Sequence, residues 1–147
     1  MIKTFSARFT LGVVLCLLAC AGCATNKTSR AGSTKNGKLA QQMIGTWVMV
    51  GVPSQVRAAP QKGGRFKYRT GTHWTVLSVN ESGLVTENFG GSYTMEGNEY
   101  IETQEYADYR WKGDNGKSFI FQVKVERDLM TQLGVGNSYN EVWKRVK

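Results

Sequence analysis

Three features of this sequence predict an all-β fold, an up-and-down antiparallel β-barrel of about eight strands. Past Met43, apolar and polar residues alternate in short runs, the period-two pattern of half-buried strands. Closely spaced turn signals separate the runs: Asn80-Glu81-Ser82-Gly83, Glu96-Gly97-Asn98, Gly113-Asp114-Asn115-Gly116 and Gly134-Val135-Gly136-Asn137. No helical period persists beyond about two turns. Sequential antiparallel strands leave two open edges unless the sheet closes on itself. A closed barrel meets that requirement; a two-sheet sandwich, the alternative, usually needs longer crossing connections than these turns provide.

The N-terminal segment does not belong to the barrel. Lys3 and Arg8 precede an apolar run over residues 9–19, with no acid among them. The run is too short for a bilayer-spanning helix but suits the apolar region of a secretory signal. It ends in Leu17-Leu18-Ala19-Cys20-Ala21-Gly22-Cys23, which resembles the lipobox of bacterial lipoproteins. An ordinary cleaved signal is the alternative, but both cysteines sit where a lipobox requires one and no cysteine follows. The resemblance implies a signal peptide over residues 1–19, acylation (palmitate among the chains) of Cys20, or alternatively Cys23, and a lipid-anchored place in the bacterial envelope. Several acyl chains hold stably where one does not, at roughly 0.8 kcal/mol per buried methylene. Ala21, where such lipoproteins carry Asp for inner-membrane retention, points to the outer membrane, facing the periplasm.

Charge follows the same division. The chain has 147 residues and a formal net charge of +8. From Met43 onward, 13 Lys and Arg face 11 Asp and Glu, so the domain itself carries only +2. The excess lies in Lys3, Arg8, Lys27, Arg30, Lys35 and Lys38, beside the membrane, where it favours anionic headgroups. Nucleic acid is not the expected partner of such an exported chain. Cys16, Cys20 and Cys23 all lie at or before the lipobox, so the domain has neither a disulfide framework nor a thiolate metal site. Residues 20–42 form the lipidated, flexible tether, rich in Thr, Ser, Asn, Gly and Lys. A helical turn over residues 39–44 leads into the domain.

The domain, residues 43–147, opens on Gly45-Thr46-Trp47-Val48-Met49-Val50-Gly51-Val52, a β-branched run ended by Pro53. Residues 54–64 read as a connection. Strands follow over residues 65–69, 73–80 and 84–89, the last continuing through a bend at Gly90-Gly91 to Met95. A tight turn at residues 96–98 leads to a strand over residues 99–106. Residues 117–125 alternate most strongly, with Phe119, Phe121, Val123 and Val125 on one face. Strands over residues 129–133 and 138–146 complete the chain.

Gly45-Thr46-Trp47, Thr72-His73-Trp74, Gly90-Gly91-Ser92-Tyr93-Thr94, Gly97-Asn98-Glu99-Tyr100 and Glu141-Val142-Trp143-Lys144-Arg145-Val146, with Glu102 and Tyr106, form an ordered series across residues 43–147. Together they resemble bacterial lipocalin-like (calycin) domains of unknown function, many of them small exported proteins or lipoproteins. The resemblance implies that Trp47 closes one end of the barrel beneath Arg145, a cation–π contact worth about 1 kcal/mol. It also implies an interior able to hold a small ligand. The animal lipocalins' long lid-bearing first loop and disulfides are missing, which argues against transport of a large lipid.

An eight-stranded barrel is just wide enough for side chains or one small ligand. Tyr68, His73, Trp74, Tyr93, Tyr100, Glu102 and Tyr106 are the candidate ligand-binding residues. Period two places Tyr100, Glu102, Gln104 and Tyr106 on one face, either lining a pocket or forming an outward row. With one histidine, His73, no His-rich metal site is expected, and no cofactor either. Glu102 and Glu105 point to opposite faces, so a paired-carboxylate hydrolase fails, and no Gly-x-Ser-x-Gly supports a serine triad. The reading therefore leans away from catalysis. It favours an envelope lipoprotein that binds a small aromatic, lipidic or polar ligand; the alternative is a filled barrel acting through its surface. Residues 57–69 hold five bases and no acid, and residues 81–108 seven acids and no base. Either adjacent hairpins pair these charges across the wall, or the bases form a lip for an anion or a surface.

Overall fold

The chain's structure is a computed structural model describing residues 35–147; the signal segment, Cys20, Cys23 and the first part of the tether lie outside the described residues. One antiparallel sheet contains β1 (Gly45–Val52), β2 (Gln55–Val56), β3 (Gly64–Arg69), β4 (His73–Val79), β5 (Val85–Glu96), β6 (Glu99–Ala107), β7 (Ser118–Glu126), β8 (Leu129–Val135) and β9 (Asn140–Arg145). Strands β1 and β3 to β9 neighbour one another in chain order, and β9 pairs back onto β1. Eight strands thus close into an up-and-down barrel with no free edge. The ninth, β2, is an extra flap where the sequence suggests only a connection. It folds back on the end of β1 through Gly51↔Val56 and Val52↔Gln55. That close return needs glycine: at Gly51 (φ 134°) a Cβ would stand 2.1 Å from the Gln55 carbonyl oxygen.

Trp47, Trp74, Tyr93, Tyr100, Phe121, Val123, Met130 and Trp143 form the main interior cluster. A smaller cluster, Val48, Val50 and Val142, lies on the outer wall under Ala59 and Phe66. A helix, α1 (Lys35–Met43), begins before the expected helical turn and takes up the last part of the stretch read as tether. It packs Leu39 and Met43 into the barrel end where β1 begins. Its terminal carbonyls, which have no partner within a helix, are met from the barrel. The Trp47 indole N–H donates to the Met43 carbonyl (2.8 Å), and Arg145 donates to the carbonyls of Ile44 (2.9 Å) and Gln42. The Arg145 guanidinium sits 4.2 Å from the Trp47 ring centroid. Trp47 and Arg145 therefore make the contact expected of them, at the α1 end.

Antiparallel order assigns every remaining connection to an end. The turns after β3, β5 and β7 join α1 at the closed end; those after β1, β4, β6 and β8 surround the opposite end, the mouth. The longest mouth connection, residues 108–117, contains a short 3-10 turn (Lys112–Asp114) and carries Trp111.

Candidate functional site

The inward residues of β3 are Arg65, Lys67 and Arg69, while Phe66 and Tyr68 face outward. Hydropathy alone would reverse that strand. Its charged face is turned inward because Glu102 on β6 and Gln132 on β8 wait there. The Lys67 ammonium donates to Glu102 Oε1 (2.8 Å) and Gln132 Oε1 (3.3 Å), and lies 3.7 Å from Glu141 Oε2. It is also held between two indoles, 5.3 Å from the Trp74 ring centroid and 4.9 Å from that of Trp143. Arg69, nearer the closed end, donates to Gln132 Oε1 (2.7 Å) and Glu102 Oε1 (3.3 Å) and stacks 4.5 Å over Tyr100. Lys67, Arg69, Glu102 and Gln132 are all buried, Gln132 completely.

Burial lowers the Lys67 pKa, opposed by the attraction of Glu102 and Glu141. Burial alone would raise Glu102, but Lys67 and Arg69 outweigh it and hold this carboxyl below the usual carboxylate range. Burial pushes the Tyr100 hydroxyl well above its ordinary value, so it stays neutral. The cluster is not fully satisfied: Arg69 Nε, Gln132 Nε2 and the Tyr100 hydroxyl are buried without a hydrogen-bond partner among the described residues. Tyr100 lies beside Glu102, yet its geometry falls short of a hydrogen bond.

Above this cluster a cavity of about 50 Å³ runs towards the mouth. Lys67, Glu102 and Gln104 contribute its polar floor; Trp74, Phe89, Phe119 and Phe121 are among its aromatic walls. The 108–117 connection roofs it. Gln104, inward on β6, donates to the Trp111 carbonyl (2.8 Å) and to Asn115 Oδ1 (3.1 Å). The Trp111 indole donates to Glu87 Oε1 (3.3 Å) and its ring lies 5.7 Å from that of Phe89. Glu87 also pairs with Arg65 at 3.1 Å. The roof is therefore pinned from within by Gln104 and from the rim by Glu87.

Of the sequence-predicted site residues, Trp74, Tyr93, Tyr100 and Glu102 point inward and share the interior. Only Trp74 and Glu102 reach the cavity; Tyr93 and Tyr100 pack below it, their ring centroids 5.0 Å apart. Tyr68, His73 and Tyr106 are outside. Tyr68 alternates with Lys67 and Arg69, so it faces solvent. His73 precedes inward Trp74 on β4, and its exposed ring hydrogen-bonds the Thr72 hydroxyl, 2.8 Å from Nδ1. Tyr106 fails for a different reason: β6 carries an extra residue, Glu105, where the register passes from Gly91↔Gln104 to Gly90↔Tyr106. That bulge reverses the alternation, and Tyr106 lies over Gly90 on the outer wall, hydrogen-bonded to the Thr75 hydroxyl. His73 and Glu102 do not converge, so the geometry required for an enzymatic reading of those two is not met.

Sequence reasoning placed Gln104 on the candidate lining face but missed Lys67, Arg69, Gln132 and Trp111 as interior or roofing residues. The signal for Lys67 and Arg69 is the period-two spacing Arg65-x-Lys67-x-Arg69, which sets three bases on one face. The charge runs do meet, but mainly through the interior (Lys67–Glu102, Arg69–Glu102), with Arg65–Glu87 at the rim. A lip built from all five bases is thereby corrected, since two of them are buried.

No protein-family model and no curated protein matches the chain. Solved structures that share its fold include two from Bacteroides. One is an uncharacterised protein from Bacteroides eggerthii DSM 20697, with a TM-score of 0.50 and 17% identity, covering 70% of this chain and 98% of that one. The other is a lipocalin-like protein from Bacteroides uniformis ATCC 8492, with a TM-score of 0.50 and 13% identity, covering 70% of this chain and 97% of that one. At such identities the likeness is one of fold: this chain is a lipocalin-like barrel.

Proposed function

We propose that this barrel is a non-catalytic binding module, which takes a small polar or aromatic molecule through its mouth and holds it over Lys67 and Glu102. One observation carries the reading: an ionic cluster with unpartnered polar groups is buried beneath an aromatic-walled cavity. Barrels that need only stability are better served by apolar packing, because desolvating charges offsets much of their attraction. Small-molecule sites characteristically combine apolar walls with a few convergent polar groups. The cavity's 50 Å³ lies far below the ~300 Å³ at which drug-sized pockets begin, so the occupant is a molecule of a few heavy atoms unless the 108–117 roof lifts. That small volume disfavours a lipid and is also what favours the second reading, a filled barrel acting through its surface. The same proposal places the protein in a bacterial envelope, anchored by acylated Cys20 (or Cys23), on the outer membrane.

Native mass spectrometry of the full chain, isolated undenatured from the cells that make it, tests the binding reading. The expected result is a discrete added mass that disappears on denaturation and weakens in Trp111→Ala and Lys67→Met. A bare mass from every preparation, with ordered water alone in the cavity of a crystal structure, would overturn it in favour of the filled barrel.

A further inference from the structure

The two ends of the barrel differ in surface chemistry. Around the mouth, successive tips expose Val56 (51%), Leu84 (65%), Val85 (59%) and Tyr109 (78%), with Val135 and Tyr139 completing the ring. At the closed end the β7–β8 turn and the C-terminal residues expose Leu129 and Val146. Large apolar side chains gathered on one rim mark a contact surface. The same rim carries exposed Arg57, Lys62 and Lys112, none in an ion pair among the described residues. Its acids are mostly taken: Glu87 by Arg65, Asp108 by Arg110 and Asp114 by Lys117, leaving Glu81.

From this we propose that the mouth rim docks on an anionic lipid surface, laying the cavity entrance against the headgroups. Separate tips grouped on one rim suit a deformable continuous surface, whereas one protein surface would have to be contoured to each. Tyrosine rings and short aliphatic chains partition into the headgroup layer, and each nearby Lys or Arg adds about 1 kcal/mol on an anionic leaflet. The docking proposed is peripheral, made by the tips of the mouth connections. The docking is independent of whether the cavity holds a ligand.

Amide hydrogen exchange on the full chain tests it, with the protein on vesicles of phosphatidylcholine alone or of phosphatidylcholine with phosphatidylglycerol. Exchange is expected to slow several-fold around residues 55–58, 80–85, 108–112 and 135–139 on the anionic vesicles only, leaving residues 127–130 unchanged. About 0.5 M salt reverses much of the effect by screening. The triple variant Val56→Asp/Tyr109→Asp/Val135→Asp alters exposed residues only; it should melt like the parent and lose the slowing. Equal rim exchange on both vesicle types would overturn the proposal. So would rim slowing without vesicles that grows with protein concentration, because a second copy would then be the occupant.

Discussion

Lys67 has exchanged water for two carboxylates, an amide and two indole faces, and its neighbours depend on that arrangement. Removing one member of a buried ion cluster leaves charge uncompensated, at a cost of about 3–5 kcal/mol, whereas removing both partners can be nearly neutral. Glu102→Gln strands Lys67 and Arg69 together and is expected to lose about 3 kcal/mol. Lys67→Met is milder, because Arg69 still pairs with Glu102. The double variant should lose clearly less than the two singles combined, measured by urea denaturation; strict additivity would show that the contact seen between them carries no coupling. The pH dependence follows from the same group. The folded-state pKa of Glu102 is depressed, so its contribution is complete above the unfolded value of about 4.3 and is lost as pH falls through the folded one. The stability gap between the parent and Glu102→Gln should therefore narrow below about pH 4 and be largest near neutrality. Lys67 acts in the same direction at high pH. Its folded pKa is lowered, so its burial cost is relieved as pH rises from that value towards about 10.4. None of this was legible in β3 alone. Arg65-x-Lys67-x-Arg69 and Phe66-x-Tyr68 are equally periodic, and which set turns inward is decided by Glu102 and Gln132, on strands distant in sequence.

Strands, turns and the Gly90-Gly91 irregularity were largely readable, because each rests on local chemistry. What the local pattern did not reveal was the partner strand's response. Gly90-Gly91 lets β5 run on, but the extra residue sits opposite, at Glu105, and its effect is to expel Tyr106 from the interior. The glycines are indispensable there: a Cβ at Gly91 would stand 2.0 Å from the Thr103 carbonyl oxygen. The β7–β8 hairpin shows the reverse situation, a residue unsuited to its place. Glu126 pairs with Leu129, leaving Arg127-Asp128 as a two-residue turn, and Arg127 adopts φ 56°. A positive φ at the first central position is the conformation for which type II′ hairpins select glycine. Relief of that conformational cost should outweigh the greater freedom of glycine in the unfolded chain. Arg127→Gly is accordingly expected to stabilise by about 0.5–1 kcal/mol, read as a raised urea midpoint with unchanged slope. A lowered midpoint would mean that the arginine side chain contributes more at this turn than its backbone costs.

At the scale of the whole molecule, the number of strands and their closure followed from period and turn spacing, while the cavity did not. Its volume depends on how the 108–117 roof packs against Phe89 and Gln104, and no strand period encodes that. Closure itself rests on the last strand. β9 pairs β8 through five positions and β1 through four, with one residue of irregularity between Met49 and Gly51. It also delivers fully buried Trp143, Glu141 beside Lys67, and Arg145 over Trp47. Ending the chain at Asn140 would therefore do three things at once. It would open β1 and β8 as unpaired edges, remove one of the two indoles that hold the Lys67 ammonium, and uncap the end of α1. Loss of any one strand of an open sheet could be tolerated, but a closed barrel has no peripheral strand to spare, and exposed edges pair with other chains. The expected outcome is a broad, non-cooperative thermal transition by circular dichroism and concentration-dependent association in sedimentation velocity. A monomeric truncated chain that still melts sharply would mean that the α1-capped core, not the β1–β9 seam, holds the barrel together. The cavity floor would then have to be reassigned to the strands that remain.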